Sequence, residues 1–234
     1  MILFCLPYAG GSESIYYNWQ KHLGSSIKLE PIELRGRGKR YNEDFYENFN
    51  EAIDDVFLSI RHKIAHNNYA IFGHSLGSLL AYELYYKICN ENLIKPKHIF
   101  FSGNAAPSAK SEEKELHKLP DNEFMQEIIN LGGTPKEVLE NDELLQFVLP
   151  ILRSDIKINE DFIYKERKDK IECDITVFSG KEDDIKLEEL LKWRSHCSQG
   201  FKVHMIEGNH FFINSNIKSI MNIINSELNK YIIK

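Results

Sequence analysis

A serine lies between two glycines in the stretch Gly73-His74-Ser75-Leu76-Gly77, which fits the pattern G-x-S-x-G. An apolar run precedes this stretch and a helix-like run follows it, so the serine should lie where a strand turns into a helix. In such a turn the glycines let the backbone pass close to its neighbours, and the serine is strained with its Oγ above the sheet edge. We therefore predict that Ser75 is a nucleophile; the alternative is a serine in an ordinary glycine-rich turn.

A serine hydroxyl attacks at neutral pH only when a base takes its proton and a third group orients that base. After a G-x-S-x-G turn these groups follow in the order Asp or Glu, then His, each behind a later strand. Asp183 and Asp184 follow the apolar run 174–180, and His210 follows the run 201–208. We predict His210 as the general base, and the residues alone leave Asp183 and Asp184 as alternatives for the acid.

The negative charge that forms on an attacked carbonyl oxygen needs two N–H donors. One should be the backbone N–H of Leu76, directly after the nucleophile, where the helix dipole favours negative charge. The other should come from the loop after the first apolar run, LPYAGGS at residues 6–12, whose adjacent glycines let the backbone approach a substrate. The Ala9 N–H is the predicted second donor, and the Tyr8 N–H is the alternative.

Short apolar runs alternate along the chain with longer runs in which apolar residues recur every three or four positions. The short runs predict strands at 2–8, 27–34, 69–74, 98–104, 174–180 and 201–208. The longer runs predict helices at 14–23, 49–66, 76–90, 186–197 and 216–232. Because strands that alternate with helices are typical of α/β proteins, we predict an α/β fold with a mostly parallel central sheet covered on both faces.

Residues 107–170 contain no convincing strand, but they contain helical patterns at 121–133 and 135–166. A segment this long between two core strands is too large for a loop, so we predict a helical insertion within a single domain, 1–234. The alternative is a set of ordinary additional core helices. Prolines and glycines should divide the insertion at Pro107, Pro120, Gly132, Gly133, Pro135 and Pro150. Its apolar residues at helical spacing should mainly pack together, with some bordering the site of Ser75: Phe124, Met125, Leu145, Phe147, Val148 and Leu152.

The chain has 234 residues, of which 42% are hydrophobic, and a net charge of −6 without a basic tract. This balance argues against nucleic acid or an anionic membrane as the main partner. The N-terminal apolar run is short and lacks a basic flank, so we expect no signal peptide, and no run approaches the roughly 20 residues that span a bilayer. The cysteines lack C-x-x-C spacing, which is typical of reduced thiols in a cytoplasmic protein: Cys5, Cys89, Cys173 and Cys197.

Several motifs stand in a fixed order along the chain: LPYAGGS (6–12), ELRGRGKR (33–40), FGHSLGS (72–78), FFSGNAAP (100–107), LPDNEF (119–124), LGGTPKEVLENDELLQFVLPILRSD (131–155) and NHFF (209–212). Between residues 2 and 214 this order resembles the type II thioesterases that accompany nonribosomal peptide and polyketide synthetases. The long motif is much more specific than G-x-S-x-G, which many unrelated hydrolases share. The resemblance implies an α/β-hydrolase with a small helical lid. Such enzymes hydrolyse misprimed or stalled acyl thioesters on the 4′-phosphopantetheine arm of carrier domains.

The resemblance assigns roles residue by residue. The nucleophile of the family falls on Ser75 and its histidine on His210. Its aspartate usually stands three positions after the glycine that ends the preceding strand. Here that glycine is Gly180, which selects Asp183 over Asp184.

Two positions depart from the family pattern. Arg35 stands where the family usually has proline, which affects the shape of the loop near the side where a carrier would dock, and Ser78 stands where glycine is common. A basic or apolar patch would suit an acidic carrier domain. One candidate is a cluster of cations, although a solvated loop is the simpler interpretation: Arg35, Arg37, Lys39 and Arg40.

The resemblance also implies the partner and the alternatives. We expect acyl or peptidyl carrier domains of a synthetase as partners of a monomeric protein. We expect no metal and no organic cofactor, because the phosphopantetheine of the partner carries the acyl group. A general carboxylesterase or acyl-coenzyme A hydrolase would use the same triad without a carrier surface. A catalytically inactive carrier-binding protein would bind carriers without turnover.

Overall fold

The computed structural model describes residues 1–109, 115–132 and 141–232. Six parallel strands form one sheet in the order β2-β1-β3-β4-β5-β6. The strands are β1 (Ile2–Leu6), β2 (Lys28–Pro31), β3 (Tyr69–His74), β4 (His98–Ser102), β5 (Asp174–Gly180) and β6 (Phe201–Ile206). Each of the six predicted strands is present, and the predicted parallel α/β fold is confirmed.

The α-helices of the described residues are α1 (Phe49–Ile64), α2 (Leu76–Asn90), α3 (Asp121–Leu131), α4 (Asp142–Glu160), α5 (Leu187–Leu191), α6 (Phe212–Ser215) and α7 (Ile217–Asn229). The predicted helix 14–23 is a 3₁₀ helix, Glu13–His22. Its two buried rings, Tyr16 and Trp19, stand three residues apart, and a three-residue repeat places such side chains in one row. The predicted helix 186–197 begins as α5 and ends as a 3₁₀ helix, Lys192–His196.

The sheet is buried on both faces, as β1 illustrates. Leu3 and Cys5 pack in one apolar cluster with α7, whereas Phe4 and Leu6 pack in a second cluster with α1 and α2. Successive side chains of a strand point to opposite faces, so a strand covered on both faces needs apolar residues at every position. This requirement explains why the central strands are rich in apolar residues, whereas the edge strands β2 and β6 carry charged residues and are partly exposed.

All strands end at the same edge of the sheet because all are parallel. At this edge Leu6 pairs with Gly73, and His74 pairs with Ser102. Gly180 at the end of β5 pairs with Ile206 at the end of β6. The loops that follow β1, β3, β5 and β6 therefore emerge side by side, and these loops carry the predicted site residues.

Between β4 and β5 the described residues form helices and 3₁₀ turns and no strand of the sheet. Pro107 begins a 3₁₀ turn, Pro120 precedes α3, and Gly132 ends α3 with a φ of 77°. The predicted breaks at Gly133 and Pro135 lie outside the described residues.

The predicted break at Pro150 is wrong, because Pro150 lies inside α4. An interior proline costs a helix a hydrogen bond and strains the preceding turn. The helix is held from both sides of the proline. The Asn141 side chain caps its first turn, and buried Leu152, Asp155 and Ile158 anchor its second half to the core. Tertiary packing thus outweighs the local preference.

The apolar residues of the insertion divide into two groups. Phe124, Ile128 and Leu152 form a small buried cluster, and Val148 packs against it. Phe147 does not pack, since 77% of its surface is exposed. The expectation that these residues pack together therefore holds for the cluster and is wrong for Phe147.

Candidate active site

Ser75 occupies a sharp turn between the end of β3 and the start of α2. Its backbone has a φ of 53° and a ψ of −118°, a region that side-chain-bearing residues rarely adopt. A Cβ on Gly73 would lie 2.0 Å from the carbonyl oxygen of Gly77. A Cβ on Gly77 would lie 2.3 Å from the carbonyl oxygen of Leu6. Only glycine fits at either position, which is the reason for the G-x-S-x-G spacing.

Hydrogen bonds from the neighbouring strand hold this strained turn. The Ser75 N–H donates to the Ser102 carbonyl at 2.7 Å, and the Asn104 side chain donates to the Ser75 carbonyl at 3.0 Å. Ser78 Oγ accepts from the Ser102 N–H at 2.9 Å and lies 2.8 Å from the Gly73 carbonyl. The sequence shows Ser78 only as a departure from the family pattern, because its partners lie at the ends of two strands, β3 and β4.

Ser78→Ala should lower the free energy of unfolding by about 1–3 kcal/mol, because it leaves the buried Ser102 N–H without its partner. Urea unfolding of both proteins measures this change. Ser59→Ala, which removes a partly buried hydroxyl bonded to the Val56 carbonyl within α1, is the control. Equal stabilities of the Ser78→Ala and wild-type proteins would contradict the role of Ser78 in holding the turn.

The structure brings His210 and Asp183 together. His210 Nδ1 lies 2.9 Å from Asp183 Oδ2, and the Asp183 side chain is only 7% exposed. Asp184 is exposed, and no hydrogen bond or ion pair of the described residues joins it to His210. The geometry therefore favours the same aspartate as the family resemblance does.

Ser75 and His210 lie at the same sheet edge without a direct bond. The hydrogen bonds among the described residues include none between Ser75 Oγ and His210, whereas the ring of His74 lies 5.2 Å from that of His210. Catalytic hydrogen bonds are often long in a free enzyme and shorten when substrate binds.

His74 forms part of the wall behind the site. It is fully buried, and its Nδ1 lies 2.8 Å from Ser102 Oγ. Burial, together with the charge of nearby His210, lowers the pKa of His74 well below its ordinary value. The rings of Tyr8 and Phe212 meet it edge-on. His74 is therefore a neutral packing partner of the site.

The loop after β1 has few N–H groups free to stabilise a negative charge. The Gly10 N–H donates to Asp155 Oδ2 at 2.7 Å, and the Gly11 N–H donates to the Tyr8 carbonyl at 2.9 Å. Among the described residues the N–H groups of Tyr8 and Ala9 have no such partner. The Leu76 N–H opens α2, where no preceding helical turn supplies an acceptor. Ala9 and Leu76 thus remain the predicted pair of donors, with Tyr8 as the alternative to Ala9.

The cations of the loop after β2 are engaged within the chain. Arg35 pairs with Glu51 and Asp55, Arg37 with Asp155, Lys39 with Glu13, and Arg40 with Asp55 and Glu43. This pairing argues against the cluster as a basic docking patch. The Arg35 N–H also donates to the Tyr46 hydroxyl at 3.2 Å, a bond that a proline at this position could not make.

The described residues show neither a metal site nor a membrane-spanning helix. They contain no group of three or more His, Cys, Asp or Glu side chains that could hold a metal ion. None of their helices is long and apolar enough to cross a membrane. The four cysteines have free thiols: Cys5, Cys89, Cys173 and Cys197.

A strained serine between β3 and α2, with a histidine and an aspartate behind later strands of a parallel sheet, defines the α/β-hydrolase class. Residues 1–228 match the family described as thioesterase domain. The chain belongs to this family.

Three similar proteins extend the comparison. The linear gramicidin dehydrogenase LgrE of Brevibacillus parabrevis is 38% identical, over 100% of this chain and 89% of its own length. The gramicidin S biosynthesis protein GrsT of Aneurinibacillus migulanus is 36% identical, over 90% of this chain and 82% of its own length. The crystal structure of ClbQ from the colibactin NRPS/PKS pathway has a TM-score of 0.94 and 34% identity, covering 99% of this chain and 98% of that one. These comparisons confirm the predicted type II thioesterase resemblance, the fold class and the enzyme class.

Proposed function

We propose that this thioesterase hydrolyses acyl groups from the phosphopantetheine arm of carrier domains in a nonribosomal peptide or polyketide synthetase. The observation that carries the proposal is the site at the sheet edge, where a strained Ser75 stands beside a bonded His210–Asp183 pair. The similarity to proteins of gramicidin S biosynthesis and of the colibactin NRPS/PKS pathway supports carrier domains as partners. The four free thiols suit an enzyme of the reducing cytoplasm.

In the first step, His210 removes the proton of Ser75, and Ser75 Oγ attacks the carbonyl carbon of the thioester. The negative charge then develops on the carbonyl oxygen, which receives hydrogen bonds from the N–H groups of Leu76 and Ala9. The carbon–sulfur bond breaks, and His210 returns the proton to the departing thiol of the phosphopantetheine arm. Asp183 keeps the proton of His210 on Nδ1 and stabilises the imidazolium.

In the second step, water replaces the thiol. His210 removes a proton from this water, and the resulting nucleophile attacks the carbonyl carbon of the ester on Ser75. The same two N–H donors stabilise the second negative charge, and the free carboxylic acid leaves as Ser75 recovers its proton. The mechanism needs neither a metal nor an organic cofactor.

The helical insertion 107–170 would act as a lid over this site. Its helix α4 reaches the loop after β1, since a Cβ on Gly10 would lie 2.4 Å from Leu152 Cδ2. Exposed Phe147 lies on the same helix and is free to contact an acyl chain. Displacement of the lid would then admit the phosphopantetheine arm.

Three substrates with the same acyl group test the proposal: an acetylated carrier domain, acetyl-coenzyme A and p-nitrophenyl acetate. We expect kcat/KM for the carrier to exceed that for acetyl-coenzyme A by about tenfold or more. A tenfold difference requires about 1.4 kcal/mol of additional binding energy from contacts with the carrier. The unacylated holo-carrier should inhibit hydrolysis of acetyl-coenzyme A competitively. Equal kcat/KM for the carrier and coenzyme A thioesters, without inhibition, would favour a general esterase.

The name of LgrE makes dehydrogenation a second candidate activity. The sequence of this chain contains no G-x-G-x-x-G, the usual fingerprint of dinucleotide binding. The same assay, run with NADH or NADPH, separates the two activities. Oxidation of the dinucleotide coupled to loss of the thioester would overturn hydrolysis as the main reaction.

A further inference from the structure

A buried ion pair joins the helical insertion to the loop after β2. Arg37 Nη2 lies 2.6 Å from Asp155 Oδ1, and the two side chains are only 3% and 0% exposed. Arg37 belongs to the ELRGRGKR motif, and Asp155 ends the long motif at 131–155. Burying two charges is costly, so a pair kept at this depth calls for an explanation beyond stability.

Both members of the pair also hold the loop after β1. Asp155 Oδ2 accepts the Gly10 N–H at 2.7 Å, and Arg37 Nη1 donates to the Gly11 carbonyl at 3.1 Å. One turn before Asp155, Leu152 packs against Gly10, where a Cβ would lie 2.4 Å from Leu152 Cδ2. Gly10 has a φ of 80°, so this contact depends on a glycine-only conformation.

These bonds fix the peptide that follows Ala9. The Gly10 N–H and the Ala9 carbonyl belong to the same peptide group. The hydrogen bond from this N–H to Asp155 therefore limits rotation of the Ala9 backbone. The Gly11 N–H is bound to the Tyr8 carbonyl, which closes the loop from the other side. The Ala9 N–H then has one available direction, and an oxyanion donor stabilises charge only when its direction is set in advance.

The choice of an ion pair over a lone carboxylate has an electrostatic reason. An unpaired carboxylate bound to the Gly10 N–H would oppose the negative charge that develops near Ala9 during catalysis. The guanidinium of Arg37 neutralises Asp155 and leaves both glycine bonds in place.

We propose that Arg37 and Asp155 are positioning residues for the oxyanion hole, so that the helical insertion supplies part of the catalytic geometry. The proposal rests on the function proposed above, in which Ala9 is an oxyanion donor. The proposal gives a function to two motifs that contain no residue of the triad, 33–40 and 131–155. It also makes the position of α4 a condition for the reaction.

The double variant Arg37→Met/Asp155→Leu tests this role, because it removes both charges and keeps apolar volume at the site. We expect it to melt somewhat below the wild-type protein, because the Gly10 N–H and the Gly11 carbonyl lose their partners. Asp155→Leu alone, with Arg37 left unpaired, should melt well below the double variant. On an acetylated carrier domain kcat should fall by about 10²-fold, the usual effect of losing one oxyanion donor, with KM changed by less than about threefold. The Ki of a trifluoromethyl ketone that forms a tetrahedral adduct on Ser75 should rise in parallel.

The control is Arg167→Met/Glu83→Leu, which removes a second arginine–carboxylate pair between the insertion and the core. This pair does not bond the loop after β1, so kcat should stay within about twofold of wild type. Fluorophosphonate labelling of the wild-type protein separates the proposed function from the positioning role of the ion pair. If Ser75 stays unlabelled, its role as nucleophile is refuted, whereas the role of Arg37 and Asp155 is not.

A stable double variant with wild-type kcat and wild-type Ki would overturn the positioning role. If the double variant does not fold, Asp155→Glu decides the question. It keeps the charge and the pairing with Arg37 but moves the carboxylate by one methylene group relative to the Gly10 N–H. We then expect kcat to fall by about tenfold or more with the same KM, and an unchanged kcat would overturn the proposal.

Discussion

Ser75→Ala should fold like the wild-type protein and hydrolyse acyl-carrier thioesters on the order of 10⁴- to 10⁶-fold more slowly. The reason is that the acyl-enzyme cannot form without Oγ, whereas the glycines and the bonds from Ser102 and Asn104 that shape the turn remain. A small residual rate should persist, because binding and the oxyanion donors still act on direct attack by water. Single-turnover assays on an acetylated carrier measure both rates, and thermal melting verifies the fold.

Fluorophosphonate labelling followed by mass spectrometry locates the nucleophile independently of turnover. The label should appear on the peptide that contains Ser75 and should be absent from Ser75→Ala. Ser195→Ala is the matched control, since Ser195 is exposed and its hydroxyl donates to the Lys192 carbonyl, and this variant should keep both label and rate. If Ser75→Ala hydrolyses the substrate at a rate within about a hundredfold of the wild-type rate, Ser75 is not the nucleophile.

The parts of the fold that could be predicted are those set by local pattern. Short runs rich in apolar residues marked the six strands, and the runs are most continuous in the central strands, where both faces of the sheet are covered. The triad candidates followed from chain order, since parallel strands deliver the residues behind them to one edge. The choice between Asp183 and Asp184 needed the family resemblance, because two adjacent carboxylates give the same pattern.

The parts that could not be predicted depend on contacts between distant segments. Arg37 and Asp155 are 118 positions apart, and the residues of their two motifs do not indicate that these side chains form a pair. Ser78 bonds the end of a strand 24 positions away, so the sequence shows it only as a departure from the family pattern. Pro150 stays inside a helix because buried neighbours hold it there. In each case tertiary packing decides what the local sequence leaves open.

Asp183→Asn should lower kcat by on the order of 10⁴-fold and leave KM nearly unchanged. The carboxylate that now accepts from His210 Nδ1 would become an amide that can donate to it. The imidazole would then keep its proton on Nε2, toward Ser75, where it cannot act as a base.

Asp184→Asn removes the same charge from the next residue, which is exposed. It should stay within about twofold of the wild-type kcat. Steady-state assays on one acyl carrier compare the two variants directly, and equal losses would mean that general charge, and not orientation of His210, sets the rate. A loss confined to Asp184→Asn would reassign the acid. Because the two substitutions match in charge and size, a loss confined to Asp183→Asn would trace to the bond that His210 makes with Asp183.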